Sequence, residues 1–345
     1  MTASMLRDHN RTWRNRTWML WLIVLAAALV APLIANERQL FVLMTILTLA
    51  VFSTSFNILL GYTGMVSFAH AAFYGVGAYT VALLWLHLGW SPLAGFLLAP
   101  LTAAVAAFLL GLIALRATRL YFALLTLALG QLLFLITFQW RDVTRGDDGI
   151  HGVEVPSFLG PSVNKYYFLL VLTVLALLVM GIALRAPFGA TLRSIRENRD
   201  RAGFLGIRVR RYELAAFTFG GAFAGYAGGM FVMFNRDAFP LLLHWTTSGE
   251  PIYVTLIGGL NSFGGPVVGA VIYGLLRDWV TRKVIYWAAA LGAVLLIIIL
   301  FLPGGLVEGF QRLSGLRRRA ATDSLTEPTQ IGVPRDDPVD SQGRP

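Results

Sequence analysis

Hydrophobic residues run along this chain in long blocks, neither alternating with polar ones nor confined to one-sided stripes. Apolar segments occupy roughly 18–35, 39–60, 68–88, 93–115, 120–139, 166–184, 213–234, 250–260, 266–281 and 284–302. Most come close to the ~20 residues that cross a ~30 Å hydrocarbon layer as an α-helix. Membrane barrel strands would instead give blocks of about ten residues with alternating polarity. The pattern predicts an all-α polytopic integral membrane protein with about ten transmembrane helices, some broken by glycine or re-entrant. The last three segments are the irregular ones. In "IGGLNSFGGPVVGA" at 257–270, Gly258, Gly259, Gly264, Gly265 and Pro266 interrupt the block, so a re-entrant piece is expected there. Residues 1–17 precede the first block, 18–305 form the transmembrane domain, and 306–345 form a basic and then polar tail expected to be disordered.

Composition agrees with this pattern. The 345 residues are 57% hydrophobic and 13% charged, with a mean hydropathy of +0.67. Soluble domains carry roughly 25% charged residues, so nearly the whole chain has to sit in an apolar medium, and a lipid bilayer is the expected partner. The chain has no cysteine, which excludes disulfides, iron–sulfur clusters and thiolate zinc sites. No G-x-x-x-x-G-K-[ST], H-E-x-x-H or G-x-S-x-G motif is present, so neither a P-loop nor a metalloprotease or serine-hydrolase centre is expected. No metal or cofactor is expected. No pair of carboxylates lies within the blocks, which argues against coupling to protons or sodium.

Charge sets the expected orientation. The net charge is +10, and Lys165 and Lys283 are the only lysines. An excess of arginine in such a chain reflects topology rather than nucleic-acid binding. Segment 185–211 carries eight arginines against Glu197 and Asp200. Segment 140–165 carries Arg141, Arg145 and Lys165 against Asp142, Asp147, Asp148 and Glu154. Positive loops stay inside, so 185–211 and both termini are expected in the cytoplasm and 140–165 outside. With ten crossings, Arg277, Arg282 and Lys283 then fall on the outer side, against the rule.

Two stretches break their blocks with glycine. In "NILLGYTGMVSFAHAAFYGVGAYTVALL" (57–84) the breaks are Gly61 and Gly64, followed by Ser67, His70, Gly77 and Tyr79. In the second, 255–276, Gly258, Gly259 and Asn261 stand before the resumed helix. Non-helical backbone at membrane depth survives only where protein or a water-filled cavity surrounds it. Paired breaks in the two halves of a chain point to a transport path or gate. Each glycine alone is as readily explained by close helix packing, and a neutral His70 capping a helix start is as physical as a functional one. Gln131 is expected to make an interhelical hydrogen bond.

The stretch "RSIRENRDRAGFLGIRVRRY" (193–212) adds a spacing to its charge. Ala202 and Gly206 are four residues apart and so are expected on one helical face, a small-residue seam flanked by Arg196, Glu197, Arg199 and Arg201. On residues alone this is either a plain basic loop or a docking helix.

The motifs resemble those of the M-type permease subunits of branched-chain amino-acid ABC importers. The resemblance covers roughly 40–305 and runs through "GYTGMVSFAHAAFYGVGAYTVALL", "RLYFALLTLALGQLL", "TRGDDGIHGV" and, most specifically, "PFGATLRSIRENRDRAGFLGIRVRRYELAAF". Gln131 stands where the family commonly has Glu, and Arg145 where Gly is usual. The resemblance implies an inner-membrane transport subunit that is not itself an enzyme. It implies a homologous second permease subunit, two cytoplasmic ATPase subunits and a periplasmic substrate-binding protein as partners. It also implies a coupling role toward the ATPases for Arg196, Glu197, Asn198, Ala202, Gly206 and Ile207. Relatives carry urea and short amides as well as amino acids. A secondary carrier or a passive channel for a small polar solute is the alternative, and an intramembrane enzyme or assembly scaffold finds no acid–base or nucleophile pair to support it.

Overall fold

The computed structural model describes residues 26–117 and 120–283 and, beyond them, 286, 289–293, 296, 305 and 306. The expected segments 1–17 and 284–302 and the 306–345 tail, with its arginines 312 and 317–319, lie wholly or mostly outside the described residues. Residues 26–34 are helical and are followed by α1 (Glu37–Thr63), α2 (His70–Leu88), α3 (Pro92–Ala114), α4 (Leu120–Gln139) and α5 (Ser162–Arg185). Two short helices, α6 (Pro187–Glu197) and α7 (Arg199–Phe204), lead into α8 (Val209–Asn235). After it come α9 (Gly249–Gly258) and α10 (Gly265–Lys283). Among the described residues, six helices are long and apolar enough to cross a membrane, namely α1 to α5 and α8. The expected count of about ten is not reached among them.

Local sequence explains the boundaries. Asn36 and Gln39 form a reciprocal cap at the start of α1, each backbone N–H donating to the other's side-chain oxygen at 2.9 and 3.0 Å. The helix runs through Gly61, which was expected to break it, and stops only at Gly64, whose φ of 75° is the left-handed conformation glycine favours. Pro92 and Pro187 open α3 and α6, where a missing N–H costs nothing. The long helices are apolar around most of their circumference, whereas α6 is two-faced. It buries Gly189, Leu192 and Ile195 on one face and carries its polar residues on the other.

The most buried of the crossing helices is α1, which touches α5, α6, α8, α9 and α10. Next to it, α8 packs against α2 and α3, while α4 lies at the periphery with Leu120, Tyr121 and Leu124 exposed. The two ends of the bundle are distinct. At one end sit α6 and α7, the arginine-rich loop. At the other, Ile150 pairs with Ala238 and His151 bonds Asp237 at 3.1 Å.

From that far end the chain folds back inward before α9 begins. Ser248 Oγ donates to the Phe68 carbonyl (2.7 Å) and accepts from the Ala71 N–H (2.9 Å), deep in the bundle. The ten residues of α9 cover only about 15 Å, so the expected block at 250–260 is a half-length helix and not a crossing. The charges of α10 that offend the orientation rule are largely compensated. Arg277 pairs with Glu250 at 2.7 Å and Arg282 with Asp278 at 2.7 Å. Glu250 is a lone carboxylate at the start of the 250–260 block, and its partner Arg277 leaves the pair neutral. The predicted Gln131 bond is not made, since its Oε1 has no partner. Thr126, one turn earlier on α4, makes the link by accepting from the Phe68 N–H at 3.2 Å.

Candidate functional site

The two glycine-broken elements meet at the arginine-loop end. Asn57 Nδ2 donates to the Ser262 carbonyl at 3.4 Å. A Cβ on Gly61 would stand 2.6 Å from the Leu260 carbonyl, so only glycine lets α1 approach the α9–α10 turn this closely. Gly259 caps α9 with φ 116° and turns the chain toward Asn261.

Arg196, in the last turn of α6, ties this contact together. Its Nη1 donates both to the Gly61 carbonyl and to Asn261 Oδ1, the latter at 3.1 Å. Its Cγ is the one group within 4 Å of a Cβ built on Gly64. One guanidinium thus joins the last turn of α1, just before the first break, to Asn261 in the second. Two further contacts seat the loop. The Arg193 guanidinium lies 5.0 Å above the Tyr62 ring, and Arg199 Nη2 donates to Glu213 Oε2 at 2.8 Å. Glu213 is nearly fully buried near the start of α8, so Arg199 fixes α7 to that helix.

The remaining loop residues differ from expectation. Asn198 caps α7, its Oδ1 accepting from the Arg201 N–H at 2.8 Å. Since α7 ends at Phe204, Ala202 and Gly206 do not share a helical face. Ala202 is buried against the bundle. Gly206 sits in the turn after the helix with φ 83°, where the Ile207 N–H reaches back to the Ala202 carbonyl. The predicted seam is therefore a buried anchor plus a glycine turn. That turn displays Phe204 and Leu205, 91% and 75% exposed, two apolar residues in a charged segment that the spacing argument passed over. Glu197 is exposed and Ile207 half-buried.

The other predicted path residues are dispersed. Ser67 is fully buried, its Oγ accepting from the Ala69 N–H at 3.3 Å. His70 is fully buried at the start of α2, its Nε2 2.8 Å from Ser55 Oγ and its ring packed between Phe52 and Phe56. Gly77 lies at the crossing of α2 and α8, where a Cβ would overlap Gly225. Tyr79 is buried with no partner for its hydroxyl. Gly258 packs against Gly265 in the α9–α10 hairpin. The structure therefore brings together Gly61, Gly64, Gly259, Asn261 and Arg196. Ser67 lies buried within the first break and His70 buried at its end, while Gly77 and Tyr79 sit in helix packing away from the breaks. Among the described residues, no group of three or more metal-ligating side chains occurs.

Comparison with known proteins identifies the family. Residues 39–302 match the family described as "Branched-chain amino acid transport system / permease component". The permease protein LivM of the high-affinity branched-chain amino acid transport system of Escherichia coli (strain K12) is 26% identical over 328 residues, 86% of this chain and 76% of that one. LivH of the same organism is 24% identical over 75% of this chain and 91% of its own length. A permease of an autoinducer 2 import system, LsrC of Salmonella paratyphi B, is 25% identical over 53% of each chain. No solved structure matches. The chain belongs to the branched-chain amino acid transport system permease family.

Proposed function

We propose that this chain is the multi-pass inner-membrane permease subunit of an ATP-driven importer for branched-chain amino acids or a related small amino acid, amide or urea. It would pair with a second permease subunit of the same family. Two cytoplasmic ATPase subunits and a periplasmic binding protein would complete the importer. The arginine loop and both termini would face the cytoplasm, in keeping with the positive-inside pattern. The similarity to both LivM and LivH supports a paired permease.

The observation that carries the reading is the double contact of Arg196. A loop that only marked topology would have no reason to reach back into the bundle. This one holds Gly61 on α1 and Asn261 between α9 and α10 with a single side chain. In the proposed mechanism the ATPases grip α6, α7 and the exposed Phe204–Leu205 turn. Closing the ATPase dimer moves this unit, and Arg196 carries the motion to both breaks while Arg199 carries it to α8 through Glu213. A hydrogen bond from a charged donor contributes about 1.5–3 kcal/mol, enough to bias two states whose populations ATP shifts. Such a shift requires the ATPases to bind one loop position better than the other. Gly61, Gly64, Gly259 and Asn261 would then form the inner gate. Ser67, His70, Gly77, Tyr79 and Gly258 would hold its frame.

The test is assembly and uptake. The purified chain should form a complex with its ATPases, and Phe204→Asp with Leu205→Asp should abolish that complex while leaving the helices folded. Uptake in cells should fail on ATP depletion and persist with uncouplers. Uptake that follows the ion gradient and ignores ATP would favour a secondary carrier instead.

A further inference from the structure

A cavity of about 1070 Å³ lies in the half of the molecule away from the arginine loop. Its wall runs along α1 from Arg38 to Phe52, about 21 Å at 1.5 Å per residue. Phe52 closes its deep end, stacked 5.3 Å from the His70 ring and 4.7 Å from Tyr74. Most of the lining is apolar, with Phe41, Phe231 and Phe234 among the aromatic side chains. Four charged side chains line it, in two pairs. Arg38 and Asp278 join at 3.2 Å, with Arg38 largely exposed. Glu250, from the first turn of α9, and Arg277, from α10, join at 2.7 Å. Their side chains are 28% and 39% exposed, and both line the cavity.

Charges at membrane depth are costly and mark function by default. A buried ion pair is also weak evidence for stability, because apolar residues of similar volume pack as well. This pair joins one guanidinium nitrogen to one carboxylate oxygen. The remaining N–H donors and carboxylate lone pairs are available to a ligand in the cavity. A lone anion there meets the Glu250 carboxylate, and a lone cation meets the Arg277 guanidinium. A molecule with an ammonium and a carboxylate on one carbon satisfies both partners with charge-assisted bonds, and an apolar side chain on that carbon finds the aromatic wall.

We infer that this cavity is a resting site for a zwitterionic α-amino acid with an apolar side chain, its carboxylate on Arg277 and its ammonium on Glu250. The inference deepens the transport reading by placing the cargo on this chain. The cavity exceeds the roughly 300–1,000 Å³ of ordinary ligand sites, so the site is a vestibule with loose binding.

The test uses the full chain assembled with its partner permease and ATPases in lipid nanodiscs, without the binding protein. Saturation-transfer NMR titrations compare L-leucine with isocaproate, which lacks the ammonium, and isoamylamine, which lacks the carboxylate. L-leucine is expected to bind at least about tenfold more tightly than either, the loss of one charge-assisted contact. Glu250→Gln should erase the preference over isocaproate, and Arg277→Gln the preference over isoamylamine. Equal binding of the three probes to the unmodified complex, or no binding at all, overturns the inference, as does a preference that survives both substitutions. The comparison on the unmodified complex decides the matter even where a variant fails to fold. Intact assembly and ATP-driven uptake alongside a failed titration would sink this site and leave the transport reading standing.

Discussion

Two arginines reach into this bundle from opposite ends, and their partners differ in kind. Arg277 meets a carboxylate, Glu250, in the wall of a cavity. Arg196 meets neutral acceptors, the carbonyl of Gly61 and the amide oxygen of Asn261. The first pair cancels its own charge and is costly to split, because each member would be left alone at membrane depth. The second leaves a guanidinium that water at the membrane surface can solvate when it lets go. A compensated pair suits a place where charge has to wait for a ligand, and an uncompensated contact suits a latch that opens and closes. In the proposed mechanism the same side chain would serve two ends according to what faces it.

Four experiments sharpen or break that contrast. The largest effect is expected from Arg277→Ala, which strands Glu250. Allowing for the exposure of both side chains to the cavity, it should cost about 2–3 kcal/mol of stability. Thermal unfolding in detergent would show the loss, and Glu250→Gln added to Arg277→Ala should recover most of it. Arg196→Ala should behave in the opposite way. The fold stays intact, the ATPases still bind, and ATP-driven uptake falls at least about tenfold. Arg196→Lys should recover only part, since a single ammonium on a flexible stem reproduces the planar two-acceptor geometry poorly. If Arg196→Ala instead unfolds the protein, Arg196 is a structural tie and the contrast fails.

Gly206→Val should weaken ATPase binding about tenfold, because a β-branched residue at φ 83° costs roughly 1–2 kcal/mol and shifts the Phe204–Leu205 turn. Pull-down against a dilution series would read it. The smallest effect is expected at the far end, at the exposed His151–Asp237 contact. The hydrogen bond to the Asp237 carboxylate raises the His151 pKa. Its stabilisation is therefore complete below the unfolded value of about 6.5 and is lost as the pH rises through the higher folded value. At this exposure it amounts to a few tenths of a kcal/mol. His151→Gln should lower the unfolding temperature slightly at about pH 5.5 and hardly at all near pH 9. A difference that grows with pH would show that the pair is not what holds this loop.

The long helices were legible in the sequence because their apolar blocks leave no other medium for them, and α2 to α5 and α8 fall close to the expected boundaries. The α9 block was not, because a run of apolar residues reports hydropathy and not depth. Only the contacts of Ser248 with Phe68 and Ala71 show that the chain has already turned inward before α9 starts. The glycine pattern found both breaks but could not say that they touch, nor that Gly77 and Gly258 serve packing. That distinction depends on what each missing Cβ would meet. In the loop, spacing four residues apart suggested one face for Ala202 and Gly206. Asn198 restarts the helix and Gly206 ends it, and neither event shows in a periodicity. Phe204 and Leu205 had a signal that went unused, as two apolar neighbours inside a run of arginines. Arg196 was named for its place in the loop and by the resemblance, but its partners were not legible, because they lie 135 and 65 residues away.

The most direct measurement follows the two breaks during the ATP cycle. The chain has no cysteine, so Met65→Cys with Ser262→Cys gives a clean pair of spin-label sites, one on each break. In the assembled transporter, ATP should change the distance distribution between the labels, and Arg196→Ala should remove that response while ATPase binding persists. An ATP response that is unchanged by Arg196→Ala, or its absence in a complex that still transports, would contradict the role assigned to Arg196.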